Sequence, residues 1–354
     1  MSLPDTGTQK MSVREPHQKF KGHTGAVSGI IHLPGRQRII TCSKDGSLRI
    51  WNCKNGLQIG NDWRDGESGV NAIGLSPDGK TVASGSDDGA VRLWDIEGRK
   101  VIDKWTGHSQ KVWGVCWGRD GKRVVSGSED GTTRVWNVES GDSETLGPIA
   151  TTTQDAEFNI GYATVYSPDQ TMIATGGGDI KIWDAKTFEL LTTLPVQQMT
   201  HSLVWAVDGK TLISGSHRDG SIITWNTTTW EKIALVWSTE HRDCIIAIAI
   251  SPNGRILASA SFDQTARLWN LENGQPISSP LQHPGQVFCI SFSAGGELLV
   301  TGCGDNNAYT WDVIAIVKGA GFNDLLLDSD VSDHRIPSTC FLLTPIPPFF
   351  SIRY

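Results

Sequence analysis

Short apolar runs alternate with turn-forming clusters along this chain, and the alternation recurs. The stretch Val70-Asn71-Ala72-Ile73-Gly74-Leu75 reads as a strand and runs into the turn Ser76-Pro77-Asp78-Gly79. A second strand, Thr81-Val82-Ala83-Ser84-Gly85, ends at Asp87-Asp88-Gly89, and Ala90-Val91-Arg92-Leu93-Trp94 reads as a third. Pro and Asp favour turn entry and Gly accepts positive φ, so both links predict tight hairpins. A fourth, more polar run, Val101-Ile102-Asp103-Lys104-Trp105, predicts an outermost strand. One such sheet cannot bury both of its faces, whereas a closed ring of sheets can.

The unit repeats seven times. Trp-Asp or Trp-Asn dipeptides begin at Trp51, Trp94, Trp136, Trp183, Trp225, Trp269 and Trp311, with steps of 43, 42, 47, 42, 44 and 42 residues. A period near this length marks a propeller blade of four strands. Six residues before six of these tryptophans stands an Asp: Asp45, Asp88, Asp130, Asp219, Asp263 and Asp305. The fourth unit departs, with Asp179 only four residues before Trp183.

On these motifs the chain resembles the WD-repeat family, including its fungal multi-repeat members and the G-protein beta subunit. The resemblance implies an all-β, seven-bladed propeller over residues 13–313. It also implies a structural tetrad in each complete blade: a His before the innermost strand, a Ser or Thr on the second, the turn Asp and the third-strand Trp. By position these are His23, Thr41, Asp45 and Trp51 in blade one, and His108, Ser126, Asp130 and Trp136 in blade three. Blade six offers His241, Ser259, Asp263 and Trp269, and blade seven His283, Thr301, Asp305 and Trp311. Each buried polar group needs a partner, and a series of bonds through the four would supply one. A catalytic triad would occur once, so the recurrence of His, Ser and Asp argues for fold maintenance. Blade two shows Glu67 where the His belongs, and blades four and five show no evident His. Those two are therefore expected to be the less rigid arc of the ring.

After Trp311-Asp312-Val313 no outer strand follows like the others, while Arg14 to Phe20 precedes Gly22-His23 as outer strands precede later repeats. The last blade is expected to be closed by this N-terminal strand, removing exposed sheet edges. Residues 1–12 read as a flexible start. Residues 314–354 read as a tail, largely flexible or docked, with a short helix possible over Ile314 to Leu327 and an apolar, proline-broken segment from Phe341 to Phe350.

Composition narrows the function. With 31 Lys+Arg against 38 Asp+Glu the net charge is −7, and no global field favours nucleic acid or anionic membranes. No apolar run is long enough to span a bilayer, and no early apolar stretch follows the first Met. Seven cysteines, an odd number without a C-x-x-C pair, mostly sit in apolar strand patterns, which predicts a reducing compartment, cytoplasm or nucleus. There is no phosphate loop, no zinc-ligand spacing and no unique nucleophile with a base, so no catalytic residue, metal or cofactor is expected.

The resemblance places binding on one end of the ring, where the loops entering the innermost strands meet the turns between second and third strands. Three residues per blade fall there. In blades one and two they are small or polar: Ala26, Ser28, Lys44, Gly69, Asn71 and Asp87. From blade three onwards Lys111, Trp113, Tyr162, Met199, His201, Arg218, Ile246, Phe262 and Phe288 are prominent. An exposed aromatic arc with Arg218 beside it would suit a protein partner; packing of the same rings into the central channel is the competing reading. The expected function is a non-catalytic protein–protein interaction scaffold or adaptor, a monomeric propeller within a complex. The alternatives are a substrate receptor and a modified-peptide reader, in which Trp113, Tyr162 or Phe262 near Glu129 or Asp87 would wall in a cation.

Overall fold

A computed structural model describes residues 15–35, 37–146, 161–216, 219–233, 237 and 240–327. Seven antiparallel four-stranded sheets form a ring. Their innermost strands, Val27–His32, Val70–Leu75, Val112–Trp117, Ala163–Tyr166, Thr200–Trp205, Ile245–Ile250 and Val287–Phe292, each contact the next, the seventh returning to the first. The protein is thus a seven-bladed β-propeller. Burial follows position in the blade. In blade two every residue of Val70–Leu75 is buried, whereas Lys100–Trp105 keeps mainly Trp105 from water. This is why the inner runs are continuously apolar and the outer ones polar.

The ring closes as the sequence suggests. Strand Gln18–Lys21 pairs antiparallel with Asn307–Asp312, setting Gln18 opposite Thr310 and Lys21 opposite Asn307. Phe20 is buried there, 5.8 Å from the Trp51 ring of blade one, so closure joins the first and last blades through side chains as well as backbone. The Asp-Gly turns require their glycines. Gly89 has φ +78, and a Cβ there would lie 2.7 Å from the His108 carbonyl of the next blade.

Beyond the last blade the expected helix is shorter than Ile314 to Leu327. It runs Val313–Gly319 behind an Asp312 cap, then breaks before a 3-10 turn at Asn323–Leu326. Val313, Ile316, Val317 and Leu325 join the core, and the Asn253 and Arg255 side chains donate to the Leu325 and Asp324 carbonyls. This part of the tail is docked under blades six and seven. Residues 1–12, the segment Phe341 to Phe350 and Cys340 lie outside the described residues.

Candidate interaction face

Three tetrads are closed by hydrogen bonds. In blade one Trp51 Nε1 donates to Thr41 Oγ1 at 2.8 Å, His23 Nε2 lies 2.7 Å from the same hydroxyl, and His23 Nδ1 lies 2.9 Å from Asp45. A neutral ring protonated at Nδ1 gives every link one donor: Trp to Thr, Thr to His, His to Asp. Blade three repeats this with His108 at 3.0 Å from Asp130 and 2.8 Å from Ser126, which accepts from Trp136 at 2.7 Å. Blade six repeats it with His241 at 2.7 Å from both Asp263 and Ser259, and Trp269 at 2.9 Å from Ser259. Burial would raise the Asp45 carboxyl, but hydrogen bonds from His23 and Ser47 hold it well below the usual range. The hydroxyls are fully buried, so no substrate carbonyl reaches them.

Blade seven corrects the expectation. His283 Nε2 meets Thr301 at 2.7 Å and Trp311 donates to Thr301 at 3.0 Å, yet His283 Nδ1 meets the Leu281 carbonyl at 2.9 Å. Asp305 instead accepts from the Tyr309 hydroxyl and from Lys19 of the closing strand. The cause is local sequence: Asn307 stands where the closed tetrads have Ser47, Thr132 or Thr265, each bonded to its turn Asp. Blade two needs a second correction. The residue in register with His23 is Gly66, not Glu67; Arg92 takes over, donating to Asp88 and to Asp65. In blades four and five only the Trp links remain among the described residues, Trp183 to Thr175 at 3.0 Å and Trp225 to Ser214 at 3.2 Å.

At the end of the ring carrying the Asp turns, a β-bulge interrupts six of the seven innermost strands. It falls on Ser28, Asn71, Trp113, His201, Ile246 and Phe288. A bulge leaves one residue outside the ladder and re-aims its side chain. Here those side chains stitch blade to blade. Ser28 donates to the Val70 carbonyl, and Asn71 to the Val112 carbonyl at 3.0 Å. From blade three the links turn aromatic: Trp113 lies 6.2 Å from Tyr162, Tyr162 lies 4.4 Å from His201, and Phe288 meets Phe262 edge-on at 5.4 Å.

This geometry overturns the exposed aromatic arc. Trp113 is 1% exposed, Tyr162 3%, His201 and Ile246 0%, and Phe288 8%. They close the space between inner strands because a bulky side chain at a bulge buries more apolar surface there than it could at the rim. Arg218 lies outside the described residues. Lys111, Met199 and Phe262 stay half-buried with part of each side chain open to water, as do Lys44, Asp87 and Glu129. The cation wall is also corrected. Lys44 Nζ stands 4.7 Å and Lys111 Nζ 5.6 Å from the Trp113 ring centroid, so the protein's own ammonium groups occupy the position a modified lysine would need. Burial lowers the Lys44 pKa, opposed by Asp87, to which Nζ donates at 3.2 Å. Bulges were the signal missed in the sequence; a Gly or small residue one position after each, as at Gly29, Ala72 and Gly114, is their trace.

Cys42, Cys53, Cys244, Cys289 and Cys303 are free and buried, and burial pushes Cys42 and Cys303 up to about 12. Among the described residues no group of three or more His, Cys, Asp or Glu is placed to hold a metal ion, and no helix is long and apolar enough to cross a membrane.

A ring of four-stranded blades bound by Trp–Ser/Thr–His–Asp networks, with a charged mouth over a buried aromatic layer, defines a repeat propeller of the kind that acts through its surface. The family profile described as "WD domain, G-beta repeat" matches residues 14–52, 62–95, 99–137, 189–226, 234–270 and 274–312. The chain belongs to the WD-repeat family, whose propellers in general serve as protein-interaction scaffolds. The missing match covers blade four, the unit with the shortened turn.

Among curated relatives the chain is similar to a Periodic tryptophan protein 2 homolog of Dictyostelium discoideum, 26% identical over 85% of this chain and 28% of that protein. It is 24% identical to Apoptotic protease-activating factor 1 of Rattus norvegicus over 83% of this chain and 22% of the relative. To WD repeat-containing protein 82 of Drosophila melanogaster it is 24% identical over 80% of this chain and 90% of the relative. The chain therefore spans about a quarter of the first two relatives' length and most of the third's.

Proposed function

We propose that this chain is a non-catalytic scaffold or adaptor that captures a protein partner on the channel mouth, using Lys44, Lys111, Met199 and Phe262. The observation that carries the reading is the layering at this end. A closed sheet of buried side chains, Trp113, Tyr162, His201 and Phe288, supports a crown of half-exposed charged and apolar groups. Apolar Met199 and Phe262 beside charged Lys44 and Lys111 on a rigid support give this crown the mixed composition of a protein interface. Its cations are partly committed, Lys44 to Asp87 and to the Trp113 face, so the crown reads shape and apolar contact more than bulk charge.

Affinity purification of the full-length protein beside a Lys111→Glu, Phe262→Ala double variant tests the reading. A partner lost by the variant at unchanged thermal stability supports it, and the same partners in both refute it.

A further inference from the structure

The opposite end of the ring carries the turns between first and second strands, and at one place a cavity opens between two of them. It has a volume of about 370 Å³ and lies between blades three and four, lined by Arg119, Asp120, Arg123, Tyr166 and Gln170. Three independent features single it out.

Gln170 has φ +63, while blades two, three, five, six and seven put Gly79, Gly121, Gly209, Gly254 and Gly296 at this turn position, all with positive φ. A side chain in the left-handed region is disfavoured, so one that occupies it is held there by its contacts. Gln170 Oε1 accepts from the Arg119 backbone N–H at 2.6 Å, and Nε2 donates to the Ser167 carbonyl at 3.0 Å. The side chain therefore spans from blade four to blade three and fixes the mouth of the cavity.

Tyr166 ends the innermost strand of blade four, where neighbouring blades have Leu75, Trp117 or Trp205. Its hydroxyl is buried and has no hydrogen-bond partner among the described residues. A buried donor without a partner is costly, and from the wall of this cavity a small shift of the Tyr166 ring would bring its hydroxyl to an acceptor that enters.

Arg123 is held in place from behind. One guanidinium N–H donates to the Ala185 carbonyl at 2.9 Å, and the plane stands 5.2 Å from the Phe188 ring centroid. Its other N–H groups make no further hydrogen bond among the described residues. Arg119, exposed, supplies a second cation at the rim, and Asp120 a single opposing charge. Two cations against one carboxylate leave one positive charge. A fork of guanidinium N–H groups beside a phenol O–H matches the two oxygens of a monoanionic carboxylate.

We propose that this cleft is a second binding site, separate from the channel mouth, that receives a carboxylate of a partner polypeptide. Arg123 and Tyr166 would donate to its oxygens and Arg119 would attract it. The carboxylate can be that of an Asp or Glu residue or the terminal carboxylate of a polypeptide, and the excess of one charge disfavours a phosphate dianion.

The full-length protein, with Arg Nε–H and Tyr ring resonances followed by NMR, is titrated with three probes. N-acetyl-glutamate N-methylamide presents the carboxylate of a Glu residue, N-acetyl-glycine a terminal one, and inorganic phosphate the dianion. The proposal expects saturable shifts at Arg123 and Tyr166 with one or both carboxylates, tighter than with phosphate; which of the two binds more tightly identifies the source. Tyr166→Phe and Arg119→Gln should each weaken the interaction by about fivefold, the value of roughly one hydrogen bond or ion pair, without lowering the melting temperature. Loss of the mouth residues Lys111 and Phe262 should leave the titration unchanged. No saturable shift, tighter phosphate binding, or full affinity in the Tyr166→Phe protein would each overturn the proposal.

Discussion

The ammonium of Lys44 sits 4.7 Å from the centre of the Trp113 ring, joining blade one to blade three across the mouth of the channel. The ring is buried beneath that cation, against Tyr162 on its other side. Trp113 thus belongs to the packing between blades, and truncating it opens a cavity. Trp113→Ala is expected to destabilise the protein by about 3–5 kcal/mol, whereas Lys111→Ala, half-exposed, should cost less than about 1 kcal/mol. Chemical denaturation of the two variants reads both values. A Trp113→Ala protein as stable as the parent would return this residue to the exposed rim.

Acid should lower the stability of the protein across two pH windows. Burial lowers the His283 pKa to about 4 despite the Leu281 carbonyl at Nδ1, from an ordinary value of 6.5. The unfolded state binds this proton first, so the contribution to stability is full above pH 6.5 and declines as pH falls toward 4. Asp263 behaves in the carboxylate sense: burial opposes ionisation, yet His241 and Thr265 hold its pKa to about 2. Its contribution is present above its ordinary 3.8 and is lost as pH falls toward 2. Each such group changes the folding constant by up to about tenfold per pH unit inside its window. His283→Gln should therefore flatten the slope of unfolding free energy between pH 6.5 and 4 by up to about one proton. An unchanged slope would show that this histidine takes up its proton over the same pH range in the folded and unfolded states.

Closure by Gln18–Lys21 makes the N-terminal segment part of the last blade. Removing residues 1–21 exposes the edge of Asn307–Asp312 and strips Phe20 from Trp51. The whole ring should then melt earlier in a single transition, because a propeller blade is supported on both sides. Calorimetry showing the parent melting temperature after this deletion would contradict the closure.

Rigidity should vary round the ring. Blades one, three and six hold closed Trp–hydroxyl–His–Asp networks, while blades four and five retain only the Trp–hydroxyl link among the described residues. Strands Met172–Gly176 and Thr211–Ser216 should therefore exchange amide hydrogens faster than Arg123–Ser128 and Ile256–Ser261. Equal protection in all four would mean that packing alone sets local stability.

Most of the fold was legible because its signals are periodic: Trp51 to Trp311 count the blades, the Asp turns set their register, and Gln18–Lys21 supplies the strand the last blade lacks. The candidate site was legible in place but not in depth. Spacing put Trp113, Tyr162, His201 and Phe288 at the right end of the ring, yet a bulge decides whether a side chain faces water or the neighbouring blade, and its only trace is a small residue one position later. The open link in blade seven was hidden for a similar reason. Asp305 and His283 have the right spacing, and the choice between them is made by Asn307 and Tyr309, outside the four-residue pattern. Sequence likewise gave no hint of the Gln170 and Arg123 cavity, which joins two turns about fifty residues apart.

The most direct test of the interaction face is site-specific photocrosslinking in cell extract from a probe at position 111 or 262, with a control probe at Ile102 on an outer strand. The scaffold reading predicts that both mouth probes crosslink the same partner and that the control does not. Crosslinking of that partner from Ile102, with none from the mouth, would place the interface elsewhere on the ring and contradict it.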